Sequence, residues 1–255
     1  MYKKQKDIIY KQDWDILIIL DACRVDMFET YSLPIILKGI KFDRVNYKYE
    51  RVVSEGTCTI EWFVKTFDKE LKNVVYLSNN PIIGKYRLHV QSRENFKYFQ
   101  DLIECFNFSY EPMGYGLHFR PEHAFDTLLK CLKKSSNLKF IIHLYQPHAP
   151  YVFDKLIAEI YVKDFFKGDV DFWKFVQQGL IPIERVVKAY IKNLLFVTFV
   201  ILEYFPKLKN LKILISSDHG ELFGEHGFFN HPCPKNLGKA EEIIKLVPLL
   251  ELTFY

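Results

Sequence analysis

Residues 213–232, ILISSDHGELFGEHGFFNHP, gather Asp218, His219, Glu221, Glu225, His226 and His231 into one turn-rich stretch. Carboxylate oxygen and imidazole nitrogen at this density make a donor set for a divalent ion, and the mixture suits zinc, manganese or iron better than calcium. Ile213, Leu214 and Ile215 read as a buried strand, so Asp218 and His219 fall just past its carboxyl end, where open α/β sheets place their chemistry. The competing reading for Asp218 and His219 alone is a charged turn after a core strand. Glycines at 220, 224 and 227 favour a site, because they let the backbone turn tightly enough to aim several polar groups at one point.

Three other stretches carry groups of the same kind. The apolar run at 16–20 discharges Asp21, a first candidate metal ligand, whose alternative is to cap a helix over 22–28. Arg24 and Asp26 follow, to pair with each other or to meet a substrate oxyanion. In VVSEGTCTIEWFVKTF, residues 52–67, the spacing of Trp62, Phe63, Thr66 and Phe67 predicts a helix that begins around 57–59. A hydroxyl there lies among free amide donors, which favours an alkoxide or an attached phosphoryl group; Thr59 is a candidate nucleophile, and Thr57 or Thr59 is equally placed to cap. The strand predicted over 138–144 delivers His143 and then Gln146, His148 and Tyr151 in HLYQPHAPY. His148 is preferred for the site because it lies beyond the strand end, while His143 is balanced between the site and a core histidine.

The elements that must position these groups alternate. Strands are expected at 14–20, 74–77, 138–144, 211–216 and 246–252, and helices from Pro121, over 183–205 and at 241–245. The pattern gives one α/β domain over 1–255, with helices on both faces of the sheet. Residues 158–178, rich in Phe165, Phe166, Phe172, Trp173 and Phe175, read as a helical excursion over the site, a lid within 151–182. Residues 84–91 and 108–120 read as surface loops, and His89, His118 and His123 show no metal spacing. The apolar run at 194–202 is too short for a bilayer and reads as a core helix.

Composition excludes several classes. The chain has 255 residues, 49% of them hydrophobic, which supports a sizeable core and argues against disorder. Its 35 basic and 31 acidic residues leave a formal charge of +4 without a basic stripe, so nucleic acid is not implied and an anionic small-molecule, glycan or lipid-headgroup ester is accommodated. The polar N-terminus is not a signal peptide by pattern, and no transmembrane segment is expected. Five cysteines at 23, 58, 105, 131 and 233, with no paired C-x-x-C spacing, suggest free thiols in a reducing, cytoplasmic compartment.

Taken together, Asp21 after the first strand, Thr59 at a helix start, HLYQPHAPY and SSDHGELFGEHGFFNHP resemble the alkaline phosphatase superfamily on its sulfatase-like branch, with SDHGE followed by GEHG the most specific part. The resemblance implies a three-layer α/β/α sandwich with a mostly parallel central sheet, and one divalent metal, zinc or manganese, on Asp21, Thr59, Asp218 and His219. It implies that His148 meets substrate or leaving group and that His231 serves an oxyanion or a second metal. Glu221 and Glu225 are left for orienting His219 or for the surface, and His226 for a supporting or substrate contact. True sulfatases carry C-x-P-x-R or C-x-A-x-R, with the cysteine converted to formylglycine. Here the segment is CTIEW, so Thr59 fits the nucleophile column better than Cys58, which is read as dispensable for turnover. Threonine implies phosphate mono- or diester hydrolysis or phosphoryl transfer; a sulfatase and a non-catalytic ligand-binding protein are the alternatives. DAC in place of paired aspartates supports one metal over two.

Overall fold

The computed structural model describes residues 2–41, 44–84, 94–105, 119–135, 137–167, 171–233 and 236–255. His89, His118 and most of the two expected surface loops lie outside the described residues, as do the side chains of Phe165 and Phe166.

The sheet grows from strands that are apolar on both faces, because helices cover both. In chain order the strands are β1 (Lys3–Lys4), β2 (Ile16–Asp21), β3 (Val45–Val53), β4 (Leu71–Ser78), β5 (Phe99–Glu104), β6 (Lys139–Pro147), β7 (Lys212–Ser217), the short hairpin strands β8 (Leu222–Phe223) and β9 (Phe229–Asn230), and β10 (Leu246–Phe254). Eight of them form one sheet in the order β1-β3-β10-β7-β2-β6-β4-β5. Only β10 runs against its neighbours, so the sheet is mostly parallel, as expected.

The helices are α1 (Gln5–Lys11), α2 (Val25–Met27), α3 (Leu33–Gly39), α4 (Thr59–Thr66), α5 (Pro121–Leu132), α6 (Lys155–Lys167), α7 (Phe172–Gln177), α8 (Ile183–Tyr204) and α9 (Ala240–Lys245). Period-two alternation in β2 sends Ile16, Ile18 and Leu20 into a core with α3, α5 and α8, and Leu17 and Ile19 into a second core with α1 and α4. Each such aliphatic side chain contributes about 1.5–3 kcal/mol of burial free energy. These two cores separate the three layers of the expected α/β/α sandwich. Among the described residues no helix is long and apolar enough to cross a membrane. The run at 194–202 is indeed in a core helix, with Phe199 alone turned fully outward.

Two elements differ from the sequence expectation. The stretch before residue 52, for which neither strand nor helix is expected, holds α3 and β3, and VNYKYERVV pairs with β10 over nine positions. Its alternation is blurred by charged residues on the half-exposed face, which is why it reads poorly as a strand. The thiols also differ: Cys58 and Cys233 form a disulfide, while Cys23, Cys105 and Cys131 are free. A separation of 175 residues leaves no local signal for that pairing.

Gly56 sets where α4 begins. A Cβ at this position would lie 2.3 Å from Trp62 N and 2.6 Å from Trp62 Cα, backbone atoms that cannot swing aside. Gly56→Ala is therefore expected to lower stability by about 1–3 kcal/mol. Denaturant melting checks this, and an unchanged midpoint would mean that α4 does not pack there.

Candidate active site

Both parallel strands at the centre of the sheet end in carboxylates. Asp21 is the last residue of β2, and Asp218 follows β7, its neighbour in the sheet. Asp21 does not cap a helix, because Ala22 adopts a left-handed φ of 57° and the chain turns away before α2. Asp218 Oδ1 accepts from Ala22 N at 3.0 Å and from His219 N at 2.8 Å, which fixes the carboxylate across the gap between the strands. Its Oδ2 is buried and has no hydrogen-bond partner.

His219 has a determinate tautomer. Nδ1 lies 2.8 Å from Gly220 O, a carbonyl that only accepts, so Nδ1 carries the proton and the Nε2 lone pair is free. That Nε2 lies 3.5 Å from Asp21 Oδ1 and 3.3 Å from Asp218 Oδ2. Thr59, the first residue of α4, is not a cap: the cap position is Cys58, and no side chain closes it. Thr59 Oγ1 instead lies 3.4 Å from Asp21 Oδ1 and 3.3 Å from His219 Nε2. Thr57 is spoken for elsewhere, bonded to Glu61 Oε2 and donating to Pro232 O.

The charges show what this cluster lacks. Burial, and then the negative charges of Asp218 and Glu221, push the Asp21 carboxyl well above the ordinary carboxylate range. Burial also acts on Asp218, but His219 and His143 outweigh it and hold that carboxyl below its usual range. Burial lowers His219, so its ring is neutral and basic at Nε2. Two carboxylates, one neutral imidazole and a hydroxyl converge with one carboxylate oxygen unpartnered. Asp21, Asp218 and His219 each offer a ligand atom within 4.8 Å of the others. That donor set fits a divalent ion such as zinc or manganese, whose charge would relieve the carboxylate repulsion.

A second cluster adjoins the first. His148 Nδ1 bonds to Ala149 O, and His231 Nδ1 lies 3.3 Å from both carboxylate oxygens of Glu221, so both rings hold their protons away from each other. Their Nε2 atoms face at 3.3 Å, lone pair to lone pair unless a proton or cation lies between them. Burial, and then His231, draw His148 down to about 3; burial draws His231 to about 4 and lifts Glu221 to about 7.

The remaining sequence candidates separate cleanly. His143 is a core histidine behind the site, bonded through Nδ1 to Tyr76 and 3.6 Å from Asp218 Oδ2. Arg24 is fully engaged by Asp26, Glu225 and Glu221 O over the Phe223 ring, so it braces the 221–225 turn instead of facing substrate. His226 is exposed on a turn with φ 54° and stands apart from the cluster, and His123 lies on α5.

Sequence reasoning missed the groups that hold these side chains still. Asn80 Nδ2 donates to Asp21 Oδ2 at 2.6 Å. From α8, Tyr190 accepts from Arg24 N and donates to Ala22 O, and Asn193 donates to His148 O and Pro150 O. One helix thus pins the loops that carry Asp21 and His148. Asn193 had a readable signal, a polar residue on the apolar face of a core helix.

No protein-family model matches the chain, and no curated protein matches it. Solved structures do. The C-terminal periplasmic domain of EcEptC from Escherichia coli, in complex with zinc, is 16% identical, with 99% of this chain and 75% of that chain covered at a TM-score of 0.63. The C-terminal periplasmic domain of phosphoethanolamine transferase EptC from Campylobacter jejuni is 16% identical over 98% and 82% of the two chains, TM-score 0.58. The soluble domain of lipooligosaccharide phosphoethanolamine transferase A from Neisseria meningitidis is 15% identical over 93% and 75%, TM-score 0.60. At these identities the likeness establishes a shared fold, the α/β architecture with a mostly parallel central sheet expected from the sequence.

Proposed function

We propose that this chain is a metal-dependent phosphotransferase or phosphoesterase of the sulfatase-like branch, with Thr59 as nucleophile and an anionic phosphate ester as substrate. The observation that carries the reading is Thr59 Oγ1, 3.4 Å from Asp21 Oδ1 and 3.3 Å from His219 Nε2 at the amino end of α4. The structural neighbours named for phosphoethanolamine transfer support a lipid-headgroup or glycolipid ester as the substrate class, and the zinc-bound neighbour supports zinc over manganese.

Asp21, Thr59, Asp218 and His219 would hold the metal. When bound, it supplies positive charge that lowers the hydroxyl's pKa and offsets charge on the transferring group. Thr59 Oγ1 attacks phosphorus in line as the bond to the leaving oxygen breaks, giving phosphothreonine. Water or an acceptor alcohol then displaces Thr59 and carries the phosphoryl group away. His148 and His231, both neutral, would hold a second cation between their Nε2 atoms, and its charge would act on the leaving oxygen.

The sulfatase alternative loses ground because Cys58, the residue that formylglycine formation would require, is tied to Cys233. Segment 151–182 is proposed as a cover within one domain, its α7 docked through Trp173 on Phe229 of β9 at 6.4 Å between ring centroids. A cytoplasmic location is kept as part of this proposal, amended by the disulfide, since cytosolic disulfides are usually transient and redox-sensing.

The test is turnover of p-nitrophenyl phosphate, bis(p-nitrophenyl) phosphate and p-nitrophenyl sulfate with zinc, manganese or magnesium. Phosphate-ester turnover with a phosphoryl adduct on Thr59 is expected. Turnover of the sulfate alone, or none in metal-loaded, folded protein, would sink the reading.

A further inference from the structure

Of five cysteines, the two that bond are the two that flank the site. Cys58 is the cap residue of α4, immediately before Thr59, and Cys233 lies two residues beyond His231. Their Cα atoms are 5.4 Å apart across 175 residues of chain. Parallel to this link, Thr57 Oγ1 donates to Pro232 O at 3.1 Å. These two ties join the start of the nucleophile helix to the segment that presents His231 to His148, Glu221 and His219. After β9 no described residue is helical or extended until α9, so His231 lies in a stretch without ladder hydrogen bonds of its own.

The two sulfurs are unequal in access. Cys58 is 5% exposed, whereas Cys233 is exposed. An attacking thiolate therefore reaches the sulfur of Cys233 and expels that of Cys58, which leaves at a helix amino terminus, where negative sulfur is favoured.

We propose that Cys58–Cys233 is a thiol-addressable gate on the phosphoryl-transfer site: the disulfide holds His231 in its working position, and low-molecular-weight thiols release it. This rests on the functional reading above. The exchange balances: the first external thiolate forms a mixed disulfide with Cys233 as the Cys58–Cys233 bond breaks. A second external thiol then resolves it. The two external thiols give up two electrons and two protons and become a disulfide, and Cys58 and Cys233 gain them as two thiols. The reduced chain keeps Thr59, Asp21, Asp218 and His219 in the folded core, while among the described residues the hydrogen bonds left to 231–233 are those of Thr57 and His231. His231 then loses its fixed distance to the nucleophile, and misplacement on the ångström scale lowers turnover by about 10- to 100-fold.

The experiment compares the full chain oxidised and after treatment with dithiothreitol that is then removed. Non-reducing peptide mapping should find the 58–233 link in the oxidised protein. Hydrogen exchange read by mass spectrometry should accelerate at 231–239 on reduction and stay unchanged in β2 and β7. Turnover of p-nitrophenyl phosphate should fall about 10-fold or more and return on reoxidation. The Cys58→Ser/Cys233→Ser double variant should match the reduced protein and ignore the thiol; if it fails to fold, the wild type in its two redox states carries the comparison. Absence of the link in oxidised protein, or equal exchange at 231–239 in both states, overturns the gate. So does a loss of activity with thiol that the double variant shares. If neither state turns over any phosphate ester, the functional reading fails, while the exchange data still decide whether the link governs the His231 segment.

Discussion

Thr59→Ala should lower phosphate-ester turnover by about four orders of magnitude or more and leave the melting temperature nearly unchanged. The stability half of this expectation follows from what the hydroxyl touches. Thr59 caps nothing, and among the described residues its Oγ1 meets only Asp21 and His219 at 3.3–3.4 Å, so its removal leaves no backbone donor unsatisfied. The catalytic half follows from the absence of a substitute. Thr57 is held by Glu61 and Pro232, and the Cys58 sulfur is bonded to Cys233. Thr59→Ser should retain a measurable part of the activity because it keeps the hydroxyl at the same point, while Thr59→Val, which keeps the shape, should behave like alanine. Steady-state kinetics on metal-loaded protein with a melt of each variant checks this; an alanine variant retaining a tenth of wild-type turnover would remove Thr59 from the nucleophile role. The disulfide also revises the reading of Cys58 as dispensable. Its replacement by alanine is now expected to cost about as much as reduction of the gate.

Asp218→Asn should weaken zinc binding by more than about 100-fold, since even residues that only orient metal ligands are worth 10–100-fold. This substitution isolates one atom. An amide oxygen can keep the bonds from Ala22 N and His219 N, so the loop stays in place, while the unpartnered Oδ2 becomes an NH₂ that faces His219 Nε2. Calorimetry adds a readout with a sign. In the metal-free protein Asp21 retains a proton above the ordinary carboxylate range, because burial and the charges of Asp218 and Glu221 raise it. Metal binding must expel that proton, so affinity should rise with pH from the ordinary carboxylate range upward until Asp21 ionises. Titrations in buffers of different ionisation heat should show proton release by wild type and less by Asp218→Asn, where one of the charges that raises Asp21 is gone. Metal content unchanged in Asp218→Ala would remove Asp218 from the ligand set.

What the sequence settled is what local periodicity can carry. The apolar runs that became β2, β6 and β7 are legible because a parallel strand covered on both faces must be apolar at every position. The polar residues at or just past their ends, Asp21, Asp218 and His148, are legible because they break those apolar runs, although all three are buried. β3 was lost because a half-exposed strand next to the edge dilutes its alternation with charge. Whether Thr59 caps a helix or faces Asp21 and His219 was decided by the packing of Trp62, Phe63 and Phe67 into the second core, which turns the start of α4 toward Asp21. Asn80 reaches Asp21 from 59 residues away, Tyr190 reaches Ala22 from 168, and Cys58 meets Cys233 across 175. Contacts at such separations depend on how strands are ordered in the sheet, and no window along the chain contains both partners, so only the tertiary structure could place them.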